Sequence, residues 1–156
     1  MKKIIATFFL ISTSIYADAN YGYVKVSDQW ILFPGLAVGY HIHDKHHGLN
    51  IDLTAYSYWD AGYSLYGKWH YLYYPTQKHF YWGMGVGVIG GQFSAGMRCG
   101  AIPITFYDGF FIKPTLEGVI GYEWNTEKTP FFLQFELGGT YGDIPLYPAL
   151  SFGIGF

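Results

Sequence analysis

The chain has 156 residues, about the length of one domain, with 13% charged residues and a net charge of −2. Tyr, Phe and Trp together make 22% and glycine supplies 21 residues, an apolar and aromatic content that argues against disorder. No Lys/Arg run points to nucleic acid, and a single cysteine, Cys99, excludes a disulfide-stapled miniprotein.

Met1-Lys2-Lys3 is a short basic region, Ile4 to Ile11 is almost wholly apolar, and Ala17-Asp18-Ala19 fits the small-x-small pattern of a signal-peptidase site. Residues 1–19 therefore read as a cleaved signal peptide and 20–156 as the mature domain. No later stretch approaches the ~18 apolar residues of a membrane-crossing helix.

Side chains on a strand point alternately to opposite faces, and this period of two runs through the mature chain. Tyr21 to Val26 alternates with modest contrast. Pro34, Leu36, Val38, Tyr40 and Ile42 oppose Gly35, Ala37, Gly39, His41 and His43. Leu49, Ile51, Leu53 and Ala55 oppose Asn50, Asp52, Thr54 and Tyr56. Tyr63, Leu65, Gly67, Trp69, Tyr71 and Tyr73 oppose Ser64, Tyr66, Lys68 and His70. Phe80, Trp82, Met84, Val86 and Val88 oppose Gly83, Gly85 and Gly87. Ile112, Pro114, Leu116, Gly118, Ile120, Tyr122 and Trp124 oppose Lys113, Thr115, Glu117, Gly121 and Glu123. Phe131, Leu133, Phe135 and Leu137 oppose Gln134, Glu136 and Gly138. Leu146, Pro148, Leu150, Phe152, Ile154 and Phe156 oppose Ala149, Ser151, Gly153 and Gly155. That gives eight strands, and no segment carries a helical period.

In a soluble barrel the bulky face would point inward and leave Gly, Ala, Ser and Thr to meet water. The bulky set is also too large for an eight-stranded interior, which side chains just fill. The inverse arrangement fits: aliphatics outward to lipid, small and polar residues inward. Lipid tolerates no unpaired backbone groups, so such strands must close into a barrel. The expected fold is all-β, an eight-stranded antiparallel up-and-down transmembrane β-barrel. A soluble, secreted lipocalin-like ligand-binding barrel is the third alternative.

With both termini in the periplasm, periplasmic turns fall at His43–Gly48, Tyr74–His79 and Asn125–Thr129. Outer loops fall at Ser27–Ile31, Trp59–Gly62, Gly91–Gly109 and Thr140–Pro145. Tyr40, Trp69, Tyr71, Tyr73, Phe80, Trp82, Tyr122, Trp124, Phe131 and Phe156 then lie near the periplasmic interface. Phe33, Tyr58, Trp59, Tyr63, Phe110, Phe111 and Tyr147 lie near the outer one, as two aromatic girdles require. Ala101 to Tyr107 also alternates; if it spans in place of Tyr21–Val26, the early strands reverse and the His41–His47 region faces outward.

A signal peptide, alternating strands and a last strand, Leu146 to Phe156, ending in phenylalanine resemble small bacterial outer-membrane barrels. The resemblance implies outer-membrane localisation, lipid contact, a monomer, and reading of the C-terminal Phe156 by the barrel-assembly machinery.

Several groupings bear on chemistry. Gly85-Val86-Gly87-Val88-Ile89-Gly90 matches G-x-G-x-x-G, but no helix pattern follows it, so it reads as glycines making room in a narrow lumen. His41, His43, His46 and His47 with Asp44 form the densest polar cluster. Imidazoles can hold zinc or copper, yet the turn reads as a hydrophilic cap, and no metal or cofactor is expected. Asp52, Lys68, His70, Lys113, Glu117, Gln134, Glu136 and Glu123 make up the lumen set, read as a paired network rather than an ion pathway. Cys99 after Arg98 reads as an incidental loop thiol. An outer-leaflet lipid-modifying enzyme, akin to a lipid A deacylase, would need a base beside a serine. Ser27, Ser57, Ser64 and Ser94 fall in the outer half without a histidine, and Ser151 has none beside it in sequence. No catalytic residue is expected, and the role is read as structural or surface-interacting.

Overall fold

The computed structural model describes residues 19–29, 33–58, 62–76, 79–93, 109–125, 129–140 and 144–156. Residues 1–18, Cys99, Trp59 and the segment Ala101 to Tyr107 lie outside them, whereas Ala19, the last residue before the predicted cleavage, lies within. Eight antiparallel strands follow one another in chain order: β1 Ala19–Gln29, β2 Phe33–Asp44, β3 His47–Ser57, β4 Gly62–Tyr73, β5 Phe80–Phe93, β6 Gly109–Asn125, β7 Pro130–Thr140 and β8 Ile144–Gly155. Each pairs with its successor, and β8 returns to β1, so the sheet is a closed up-and-down barrel without edges. Closure runs from Tyr23 opposite Gly155 to Gln29 opposite Ala149, extended by Phe156 N–H donating to the Gly22 carbonyl at 2.9 Å. Tyr21–Val26 is thus a barrel strand, within β1.

Face assignment follows the period of two in every strand. Val26, Leu36, Val38, Leu53, Leu65, Val86, Leu116, Phe135 and Leu150 are exposed on the outside, whereas Lys25, Asp52, Lys68, Glu117, Gln134 and Glu136 are buried within. Strand ends differ modestly from expectation. β1 runs on to Gln29 and β2 starts at Phe33, and β5 continues to Phe93, because cross-strand pairing extends past the hydrophobic alternation. β2 and β3 join through a two-residue turn in which Lys45 adopts φ 50°. Gly109 opens β6 at φ +111°, a conformation that L side chains rarely adopt.

One group of aromatic residues departs from the expected girdle. Phe33 (1% exposed), Tyr58 (4%), Phe111 (8%) and Tyr147 (3%) point into the barrel. With Tyr56, Tyr66 and Ile89 they form an apolar plug at the end opposite the termini. Their parity decides this: each sits one position away from the outward series of its strand. Tyr63 and Phe110 do face outward there. At the terminal end the girdle is as expected. Tyr73 meets Trp82 edge-on at 5.7 Å, Tyr122 meets Trp124 at 4.8 Å, and His79 stacks on Tyr122 at 5.4 Å.

Five large rings fit inside because each lies over a glycine directly across the ladder. Tyr23 faces Gly39, Tyr56 faces Gly35, Tyr81 faces Gly121, Phe132 faces Gly153 and Tyr147 faces Gly138. A Cβ on Gly121 would stand 2.2 Å from Tyr81 Cζ, and one on Gly153 2.1 Å from Phe132 Cζ. Gly85 and Gly87 of the G-x-G-x-x-G string serve the same purpose under His70 and Tyr66, within a continuous strand. Gly121→Ala is therefore expected to lower unfolding free energy by about 1–3 kcal/mol through overpacking. Gly67, on the outer face with nothing within 4 Å of a built Cβ, should accept alanine with a gain of roughly 0.5 kcal/mol. Denaturant titration of both variants in micelles checks the pair; equal effects would refute the ring-over-glycine packing.

Candidate functional site

The lumen is organised around two lysines and two carboxylates. Lys25 on β1 donates to Asp52 Oδ2 on β3 and to Glu136 Oε1 on β7, each at 2.9 Å. Lys68 on β4 pairs with the other oxygen of Glu136, and its ammonium sits 4.7 Å above the Tyr66 ring. Tyr23 OH donates to Asp52 Oδ2 at 3.1 Å, Thr54 to Asp52 Oδ1 at 2.9 Å, and Gln134 Nε2 to Glu136 Oε1 at 2.7 Å. All of these side chains are essentially inaccessible. Buried charges persist only when paired and hydrogen-bonded, and this centre meets both conditions.

Toward the plugged end, Glu117 accepts His70 Nε2–H at 2.6 Å and Tyr147 OH at 2.9 Å, with the Tyr66 hydroxyl converging on the same carboxylate. Ser151 donates to Ser27 Oγ at 2.9 Å, and Ser27 pairs with Tyr56 OH at 2.9 Å. Tyr58 OH donates to Gln29 at 2.8 Å and also lies 3.0 Å from Ser64 Oγ. Burial pushes the Tyr58 hydroxyl above its ordinary range, so it remains a neutral donor.

At the terminal end, His41 and His43 on β2 face inward, and Glu123 reaches them from β6. Tyr74, just beyond β4, holds this group together. Its ring stacks on His43 at 3.9 Å, and its hydroxyl donates to Glu123 Oε2 at 3.1 Å and lies 3.3 Å from His41 Nε2. Burial, reinforced by the Glu123 charge, raises the Tyr74 pKa and keeps the phenol protonated. The main chain of Glu123 is fixed by His79 in both directions: its N–H donates to the His79 carbonyl at 2.8 Å and its carbonyl accepts His79 Nδ1–H at 2.7 Å.

The predicted lumen set is thus largely brought together. Asp52, Lys68 and Glu136 form the centre, with Gln134 beside them. His70 joins Glu117, and Glu123 belongs to the terminal layer. Lys113 keeps the inward parity of β6 and is half-buried opposite Ile89. The histidine cluster divides. His41 and His43 enter the lumen, while His46 and His47 stay at the turn, where His46 Nδ1–H donates to the Tyr74 carbonyl at 2.7 Å and His47 packs near Tyr71. Sequence reading missed Lys25 and the inward Tyr21, Tyr23, Tyr74 and Tyr81, while Tyr56 and Tyr66 lie on the face it gave them. Lys25 occupies an odd position of β1 with Tyr21 and Tyr23, a pattern that the rule of bulky residues outward hides.

No protein-family model matches the chain, and no curated protein matches it. Among solved structures it is similar to the N-terminal β-barrel domain of Pseudomonas aeruginosa OprF. The likeness covers 88% of this chain and 95% of that one, at 14% identity and a TM-score of 0.53. That likeness is one of fold alone, a β-barrel.

Proposed function

We propose that the chain is a small integral outer-membrane protein, a monomeric barrel with a structural or surface-interaction role. The observation that carries this reading is the inversion of the barrel. Aliphatic and aromatic side chains such as Leu36, Leu53, Trp69, Val86, Trp82 and Leu116 are exposed around it, while charged groups fill its interior. Water would penalise that exterior, and a bilayer favours it. The OprF barrel domain supports the same placement by fold. In this reading the termini and the short β2–β3 turn face the periplasm, and the segment joining β5 to β6 is the largest outer loop.

A catalytic role is not part of the proposal. Among the described residues the hydrogen-bond partners of Ser27, Ser64 and Ser151 are serine, tyrosine and glutamate side chains, not imidazoles. Hydrolytic chemistry on lipid needs a base within reach of the nucleophile, and Glu136, the carboxylate beside Ser151, is held by Lys25 and Lys68.

Membrane fractionation with a heat-modifiability gel tests the reading. The expected result is outer-membrane recovery and a mobility shift between unboiled and boiled samples. A soluble periplasmic protein without a shift would overturn it. Phe156 is exposed at the end of β8 and its ring lies over Gly22, and the proposal makes it an assembly signal. Its deletion should reduce insertion in cells more than folding of purified protein in detergent; equal loss in both assays would reduce it to a packing residue.

A further inference from the structure

We propose that the terminal end of the lumen holds a transition-metal dication of the Zn²⁺ type, bound by His41, His43 and Glu123. One ring nitrogen from each histidine and one carboxylate oxygen of Glu123 lie within 4.8 Å of one another, and all three residues are buried. His41 Nε2 stands 3.8 Å from Glu123 Oε2. Ligands about 2.0–2.1 Å from a tetrahedral ion stand roughly 3.4 Å apart, so the His41–Glu123 pair needs about 0.4 Å of closure and no pair needs more than about 1.4 Å.

The surroundings resemble a prepared ligand set. His41 Nδ1 bonds Asn50 Oδ1, and His43 Nε2 bonds the Lys45 carbonyl at 2.7 Å. Both oxygens are acceptors, so each ring carries its proton on the bonded nitrogen and keeps a lone pair on the other. Ligating histidines are oriented in this way by a hydrogen bond from their second nitrogen. Among the described residues Glu123 Oε1 is buried and has no hydrogen-bond partner, while Oε2 takes the Tyr74 hydroxyl and the Tyr21 hydroxyl approaches the same carboxylate. A buried carboxylate oxygen without a donor is unfavourable, and a bound cation would satisfy it.

The other histidine–carboxylate group, His70 with Glu117 and Glu136, differs on this point. Its carboxylates are already taken by Lys25, Lys68, Gln134, Tyr147 and the His70 ring. Two imidazoles and one carboxylate favour zinc-like ions over Ca²⁺ or Mg²⁺, which prefer oxygen ligands alone. The site lies near the β2–β3 turn, so an ion would enter from the terminal end of the barrel. This inference concerns the lumen alone and stands whether or not the barrel is a membrane protein.

The test uses the full chain without a histidine tag, folded in detergent, stripped with a chelator and titrated with ZnCl₂ against a chromophoric competitor. The expected result is one Zn²⁺ per chain. Glu123→Gln and His43→Ala should each weaken binding about tenfold or more. Asn50→Ala, which leaves the three ligands in place and frees the His41 ring, should weaken it by roughly 10–100-fold. Replacing His46 and His47 together by alanine should leave affinity unchanged. Co²⁺ in the same site should give visible d–d bands that His43→Ala abolishes. The gel shift identifies variants that are folded; His43→Ala, nearest the barrel end, carries the test if Glu123→Gln does not fold. The proposal fails if no stoichiometric zinc binds, or if binding survives in the folded ligand variants and disappears with His46 and His47.

Discussion

Replacing Glu136 by leucine is expected to lower the unfolding free energy by about 3–5 kcal/mol, the cost of removing one member of a buried ion-pair network. Glu136 is the only carboxylate shown bonding Lys68 among the described residues, and it shares Lys25 with Asp52. Its loss leaves Lys68 buried beside the Tyr66 ring without a directly bonded carboxylate, and Asp52 across the ladder is already bonded to Lys25. Lys25 retains Asp52 at 2.9 Å. The penalty should therefore belong mainly to Lys68. Adding Lys68→Met to Glu136→Leu should recover a large part of the lost stability, since a pair replaced by apolar groups leaves no orphaned charge. Urea titrations of these two variants and of Lys68→Met alone, followed by tryptophan fluorescence, give the numbers. A single variant within about 1 kcal/mol of wild type, or a double variant as unstable as the sum of its parts, would refute the network. Planar-bilayer recording separates the same network from an ion pathway. Wild type and Glu117→Gln should both stay at background, because the side chains that pair also fill the bore.

Much of this arrangement was legible in the sequence, for a physical reason. A strand has a period of two, so a barrel with one face in a bilayer and one in a crowded polar lumen writes both environments into alternating residues. β3 is the clearest example: Leu49, Ile51, Leu53 and Ala55 outward, Asn50, Asp52, Thr54 and Tyr56 inward. Where the text is ambiguous, size is the cause. β1 places Tyr21, Tyr23 and Lys25 inward and Gly22, Val24 and Val26 outward, which reverses the rule of large outside and small inside. The reversal works only because the partner strand supplies Gly39 beneath Tyr23, a fact of register that one strand cannot announce. Depth alone puts Phe33, Tyr58, Phe111 and Tyr147 among the interface aromatics, although the alternation of their own strands puts them inside. The meeting of His41 and His43 with Glu123 was illegible for a different reason. It joins β2 to β6 across the bore, between strands that do not pair, and no local pattern encodes such a contact.

Leu53→Arg is expected to cost about 2–4 kcal/mol in lipid, the penalty for a cation near the bilayer midplane on the outer face of a barrel. Leu53 is 51% exposed on the outer surface and stands between Val38 of β2 and Gly67 of β4. In water an exposed arginine there would be almost neutral, because a surface substitution away from caps and networks changes stability by about 0.5 kcal/mol or less. The variant thus measures the solvent of the outer face, which the closed sheet alone does not specify. Thr54→Arg, one residue along, controls for the substitution itself. Thr54 is wholly buried and donates to Asp52, so arginine there overpacks the lumen and disrupts the central network in lipid and in detergent alike. The two variants should therefore differ in how they respond to the host. Refolding each into bilayers of increasing hydrocarbon thickness should deepen the Leu53→Arg penalty, as the charge finds water less readily by snorkelling, and leave the Thr54→Arg penalty nearly constant. A Leu53→Arg barrel of wild-type stability in every bilayer would mean that this face meets water, and the soluble ligand-binding alternative would then replace the membrane reading.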